Sequence, residues 1–176
     1  IGGAVGSTLR LPPDALQRAD ALGLPRRFVL SVGTLEPRKG IPALLHAMAL
    51  LPDEIELVLV GPTGWGGVSV EDAAAEAGVS DRVHLAGRLP DSDLAVALAA
   101  AEVVAVPSLA EGFGLPVLEA FSMGTPVVHS DAPALVEVAG GAGIVVARGD
   151  DAGYPGRLAE ALRSVLDDES LAARLG

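Results

Sequence analysis

The chain has 176 residues, half of them apolar and 3% aromatic, and a formal net charge of −11. That length suits one well-packed α/β domain and is marginal for two, and the apolar content excludes a disordered chain. The acidic balance argues against nucleic acid as a partner, the absence of cysteine excludes disulfides and thiolate chemistry, and no apolar run approaches the ~20 residues of a membrane span.

The start, Ile1-Gly2-Gly3-Ala4-Val5, has neither an initiator Met nor a charged signal region, and reads as a cut through a longer protein. Residues 1–27 read as a linker-like leading segment, with Gly2, Gly3, Gly6, Pro12 and Pro13 and a short amphipathic piece around Leu16 to Leu22. From residue 28 onward the pattern is regular. Phe28-Val29-Leu30-Ser31-Val32-Gly33 reads as a buried strand, and Ile41 to Leu51 as a helix with Leu44, Leu45, Met48 and Leu51 on its apolar stripe. Leu57 to Val60 is a second strand, ending in the glycine-rich turn Gly61 to Gly67. A helix from Val70 to Ala77 leads to a third strand, Val83-His84-Leu85, and Asp91 to Ala101 is the next helix.

Val103 to Val106 is a fourth strand, ending at Pro107-Ser108. The stretch that follows runs Glu111-Gly112-Phe113-Gly114-Leu115-Pro116-Val117-Leu118-Glu119 and continues to Gly124. Two glycines let backbone approach a ligand, Pro116 suits the first turn of a helix, and Gly124 is placed to stop it. Pro126 to Val128 is a fifth strand, Pro133 to Val138 a short helix, and Gly143 to Val146 a sixth strand. Leu158 to Leu166 is a helix, and Leu171 to Leu175 a further turn. Short continuous apolar strands alternating with helices predict a parallel sheet covered on both faces, a doubly wound Rossmann-like α/β domain that binds ligand at the carboxyl ends of its strands.

Three groups of residues stand at those ends. Arg38 and Lys39 precede the helix at Ile41, so two cations and free helix amides meet after the first strand, a cradle for a diphosphate or else a solvated basic loop. Glu111 lies in the loop before its helix and Glu119 about one turn inside, so both carboxylates can face one volume, although Glu119 would also complement a helix dipole. The Asp91-Ser92-Asp93 triplet is a metal-binding D-x-D in other settings, but after Pro90, at the start of a helix, it reads as an N-cap. Gly61 to Gly67 does not match G-x-G-x-x-G, and no His or Cys cluster suggests a metal. His129 is placed to line the pocket from a strand end, and His46 and His84 read as helix and strand residues.

Glu111 and Glu119, with seven residues between them that include Gly-Phe-Gly-Leu-Pro, and after an apolar strand ending in Pro-Ser, resemble the E-x7-E signature of retaining GT-B glycosyltransferases of family 4. The resemblance is to the nucleotide-sugar-binding, C-terminal half and covers about Phe28 to Val146. It implies a donor-binding domain over residues 28–176, with the acceptor-binding domain lying before Ile1. It implies a nucleoside-diphosphate sugar as donor, no cofactor and no metal. Glu119 would take the ribose hydroxyls, which suits a carboxylate facing a vicinal diol. Glu111 would hold the transferred hexose, with Gly112, Phe113, Gly114 and Leu115 around the sugar and phosphate.

Lys39 and Arg38 would stabilise the leaving diphosphate beside Gly33 and Thr34, although many family members carry an Arg where Thr34 stands. Arg88, in the turn after the third strand, would reach the base or be a surface residue. Segments such as Gly-Thr-Leu-Glu-Pro-Arg-Lys are similar to those of bacterial mannosyl- and rhamnosyltransferases, a lean toward GDP-mannose. The acceptor, a sugar or lipid-linked glycan, would be bound by the other domain, with the enzyme in the cytoplasm or at the inner face of the membrane. The alternatives are a non-catalytic nucleotide-binding module, an epimerase- or phosphorylase-like enzyme of the same fold, and a hydrolase using the two glutamates as acid and nucleophile.

Overall fold

The computed structural model describes residues 9–63, 69–149 and 152–168. Six strands form one sheet: β1 (Phe28–Val32), β2 (Glu56–Val60), β3 (Val83–Gly87), β4 (Val103–Val106), β5 (Val127–Ser130) and β6 (Ile144–Val146). Their order is β3-β2-β1-β4-β5-β6, and every pairing is parallel. This is the Rossmann order, in which the chain winds outward from β1 in one direction and from β4 in the other. The crossover helices are α2 (Ile41–Met48), α3 (Val70–Ala77), α4 (Asp91–Ala100), α5 (Leu115–Ser122) and α6 (Pro133–Ala139), with α1 (Ala15–Leu22) before the sheet and α7 (Tyr154–Asp167) after it.

The period-2 alternation of strand side chains divides the core in two. On one face Val29, Leu57, Leu59, Val103 and Ala105 pack with Leu44, Leu45 and Met48 of α2 and Leu158 and Leu162 of α7. On the other, Phe28, Leu30, Val58, Val104 and Val106 pack with Ala97 and Leu98 of α4, Val117 and Ala120 of α5 and Leu135 of α6. Because both faces of the central strands are covered, their sequences read as unbroken apolar runs. Truncating any fully buried leucine here, such as Leu98, should cost about 2–5 kcal/mol.

Beside shifts of one or two residues at other ends, such as β3 running on to Gly87, four differences from the sequence reading stand out. The predicted helix to Leu51 ends at Met48; the amides of Leu50 and Leu51 make tighter bonds to Ala47 and Met48, bringing the chain to Pro52. The last helix starts four residues before Leu158, because Pro155 occupies its first turn, where a missing N–H is harmless. Strand β5 runs on to Ser130, so His129 is fully buried inside it and does not line the cleft. The leading segment is more than linker: Leu9 is buried against the second core face, α1 packs on α4, and Arg18 reaches Asp93 at 3.1 Å. The predicted turn at Leu171 to Leu175 and most of the glycine-rich turn after β2 lie outside the described residues. Among the described residues no helix is long and apolar enough to cross a membrane.

Candidate functional site

Strands β1 and β4 are neighbours whose connections leave in opposite directions, so a crevice opens at their carboxyl ends. Its base is lined by Ser31, Gly33, Thr34, Lys39, Pro107 and Ser108. Main chain meets main chain there. A Cβ on Gly61 would stand 2.0 Å from the Gly33 carbonyl oxygen, and one on Gly40 would stand 2.1 Å from that of Pro107. Both glycines also have positive φ, +143° and +71°, so no other residue fits without a backbone shift.

Lys39 closes a turn of 3-10 helix at Pro37–Lys39, and its stem lies along Gly33. Its Nζ donates to Glu111 Oε2 at 2.8 Å, with both side chains largely buried. Glu111 also accepts from the Ser108 hydroxyl at 3.2 Å and from the Gly112 amide at 3.2 Å. Burial alone would raise its pKa, but the Lys39 bond and charge, with Ser108 and Gly112, hold it below the ordinary carboxylate value. The family resemblance puts Lys39 with phosphate and Glu111 with sugar; in the structure each is the other's counter-ion.

Arg38 diverges from its neighbour. Its guanidinium is exposed and bonds Glu36 at 2.6 Å, sensing Glu111 only through its charge. In a 3-10 turn successive side chains point about 120° apart, so the two cations expected side by side do not converge. At the start of α2 the N-cap Gly40 lies against the Pro107 carbonyl. Arg88 is exposed in the turn after β3, two strands from the crevice, and makes no contact with the Lys39–Glu111 pair.

Helix α5 begins as read, with Gly114 (φ +67°) as N-cap and Pro116 in the first turn. It ends in a Schellman motif: the Thr125 amide bonds the Ala120 carbonyl, the Gly124 amide bonds that of Phe121, and Gly124 has φ +72°. Pro116 has no N–H and Val117 donates back to Gly114, so of the first-turn amides Leu115's is the one without a protein acceptor. Phe113 is 79% exposed at the lip of the loop.

Glu119 is half-buried, and no side chain is bonded to its carboxylate. Burial raises its pKa and the nearby charge of Asp91 raises it further. Asp91 is the first residue of α4 rather than its cap, which is Pro90, and neither Asp91 nor Asp93 caps with its side chain; Asp93 is paired with Arg18. Among the described residues no three His, Cys, Asp or Glu side chains cluster as a metal centre would need. Ser108 is the site residue that the sequence reading passed over. Its signal was its place, directly after an apolar strand in the crevice-forming pair.

The sequence pattern of the family described as Glycosyl transferases group 1 matches residues 14–176. The O-antigen chain mannosyltransferase B of Escherichia coli is 43% identical over 122 residues, which are 67% of this chain and 32% of that protein. The MMP alpha-(1->4)-mannosyltransferase of Mycolicibacterium hassiacum is 45% identical over 127 residues, 67% of this chain and 29% of that protein. The chain thus spans about a third of the length of these relatives. The crystal structure of Anabaena Alr3699/HepE in complex with UDP and glucose superposes with a TM-score of 0.80 at 26% identity, covering 94% of this chain and 46% of that one. Together with the doubly wound sheet, these findings place the chain in the glycosyl transferases group 1 family, with the fold of GT-B glycosyltransferases.

Proposed function

We propose that residues 28–176 are the donor-binding half of a retaining, family 4 GT-B glycosyltransferase, which moves a hexose from a nucleoside-diphosphate sugar to an acceptor hydroxyl. The observation that carries this reading is the buried Lys39–Glu111 pair at the β1–β4 crevice, with an unpartnered carboxylate, Glu119, on the helix behind it. An arriving diphosphate competes with Glu111 for the Lys39 ammonium, and the Leu115 amide gives it a second donor. Glu111, released from Lys39, is then free to accept hydrogen bonds from hydroxyls of the hexose. Glu119 takes the ribose diol, which supplies two donors to a carboxylate that has none from the protein. As the glycosyl bond breaks, charge grows on the diphosphate, and a cation already held in place stabilises it. Arg38 contributes when it leaves Glu36, and Arg88 stands at the rim toward the base.

This reaction needs no metal or cofactor, because Lys39 supplies the positive charge and Asp93 is engaged with Arg18. The names of two relatives favour mannose as the sugar, with GDP-mannose as the donor we lean toward, while the neighbour holding UDP and glucose favours a uridine donor. The acceptor, a sugar or lipid-linked glycan, would be held by a separate domain, with the enzyme in the cytoplasm or at the membrane's inner face. The test is calorimetry of the chain with UDP, GDP, ADP and their sugars, with and without EDTA. Binding of one nucleoside diphosphate, unchanged by EDTA and lost in Glu119→Ala, is the expected result. Binding of none of them overturns the reading, and a tenfold loss restored by Mg²⁺ overturns its metal independence.

A second reading has one observation in its favour. The two glutamates have pKa values pushed in opposite directions, the pattern of an acid and a nucleophile in a hydrolase. It requires free sugar to be released from a glycoside with no nucleotide present.

A further inference from the structure

The loop that carries Ser108 and Glu111 leaves the sheet early. The last residue of β4, Val106, pairs with His129, and beyond it the carbonyls of Pro107, Ser108 and Leu109 have no ladder to join. Each is taken by a side chain from a different element. The Tyr154 hydroxyl, at the first residue of α7, donates to Pro107 at 2.8 Å. The Ser130 hydroxyl, at the end of β5, donates to Ser108 at 2.5 Å. Arg148, following β6, donates through Nη1 to Leu109 at 2.6 Å. Arg148 is itself aimed by Asp131, which accepts from its Nε at 2.7 Å and from its backbone amide at 3.1 Å. From the opposite side the Leu109 amide donates to the Arg38 carbonyl at 2.7 Å, one residue from Lys39.

Tyr154 and Ser130 are almost entirely buried. Burial pushes the Tyr154 phenol far above its ordinary pKa, so its hydroxyl keeps its proton and remains a donor. Tyr154 is buried with its hydroxyl on the Pro107 carbonyl, and the Arg148 guanidinium is taken up by Asp131 and the Leu109 carbonyl. We infer that Tyr154, Ser130 and Arg148 are positioning residues: by holding three consecutive carbonyls they set the height of the Glu111 loop against Lys39, and with it the grip on an anionic diphosphate. The start of the C-terminal helix is thereby part of the binding apparatus. The ligand half of this inference rests on the proposed function; the Glu111–Lys39 half does not.

The test uses Tyr154→Phe, which keeps the ring and removes the donor, and Arg148→Met, at a half-exposed position where folding is less at risk. Each is compared with Arg27→Ala, whose ion pairs lie at the other end of the strands. Two quantities are read: the titration of the Glu111 carboxyl by carbon-13 NMR, and the affinity for whichever of UDP or GDP the parent binds. In the two loop variants the Glu111 midpoint moves up toward the ordinary carboxylate value and affinity falls about twofold to tenfold, the range of one hydrogen bond. Arg27→Ala lowers the melting temperature and changes neither. If both loop variants melt earlier but leave the Glu111 titration where it was, the residues are merely structural and the inference is overturned. If the parent binds no diphosphate, the donor assignment has failed, and the titration alone still decides the positioning role. Should Tyr154→Phe not fold, Arg148→Met carries the decision.

Discussion

The two ends of the sheet handle charge in opposite ways. At the amino end Arg27, just before β1, is held by both oxygens of Glu102, at 2.6 and 3.0 Å, and by Glu54 at 2.7 Å. Arg82, just before β3, donates to the Met48 carbonyl at the end of α2 at 2.8 Å and to the Ile55 carbonyl just before β2 at 3.2 Å. Each charged head there has several protein partners and ties separate elements together. At the carboxyl end Lys39 has Glu111, Glu119 has no partner at all, and Arg88 stands exposed. Burying a carboxylate without a partner costs stability. The amino end's ions hold the fold; at the carboxyl end Arg148 and Asp131 do the same for the Glu111 loop, while under the proposed function Lys39 and Glu119 are the groups kept for a ligand.

The contrast is most exposed to test at Lys39. Lys39→Ala should leave Glu111 uncompensated and lower stability by about 2–3 kcal/mol, while weakening nucleoside diphosphate by about tenfold to a hundredfold. Replacing the pair together, Lys39→Met with Glu111→Leu, should recover most of the stability and none of the binding. Chemical denaturation and calorimetry on the same samples separate the two effects; recovery of binding in the double variant would show that the pair is not the anion site.

Arg27→Ala, at the amino end, should cost about 1 kcal/mol, since its partners are partly exposed, and should leave diphosphate affinity unchanged. A change in affinity would mean that the two ends are coupled through the sheet. Glu119→Gln should do the reverse of both: at neutral pH it should gain about 0.5 kcal/mol, as removal of an unpaired charge does, and lose ribose affinity. The sign can be checked against pH. Because the folded pKa of Glu119 is raised, its contribution favours the fold below its unfolded value near 4.5 and is lost as pH rises through the folded value. The gain in Glu119→Gln should therefore be present at pH 7 and vanish below about 4.5. Glu111, with a lowered folded pKa, runs the other way: it contributes above the unfolded value and is lost as pH falls through the folded one. Glu111→Gln should accordingly flatten the acid side of the stability profile.

The central strands and the α5 helix were legible because their signals are local. A strand buried on both faces must be an apolar run, and a helix opened by Gly-Leu-Pro and closed by glycine carries its own punctuation. What the sequence hid is orientation and long-range contact. Arg38 and Lys39 are adjacent in the chain, yet a 3-10 turn sends one to Glu36 and the other to Glu111. Asp91 looked like a cap, but Pro90 took that place. Tyr154 and Pro107 are 47 positions apart, and Ser130 and Ser108 are 22 apart, so no spacing rule links them. The same is true of α1, whose packing on α4 rests on few apolar residues and an Arg18–Asp93 bond 75 positions long.

The contacts of Gly61 with Gly33 and of Gly40 with Pro107 bear on how such a site can diversify. Where two main chains touch, the surface has no side chain to exchange, and its shape is written in peptide units common to every residue type. Substitution at Gly40 or Gly61 would move a strand end instead of reshaping a wall. A descendant of this chain that accepts a different hexose or base therefore has to vary the walls, at positions such as Thr34, Arg88 and Phe113. Under the proposed function, the main-chain floor beneath the diphosphate would be inherited unaltered.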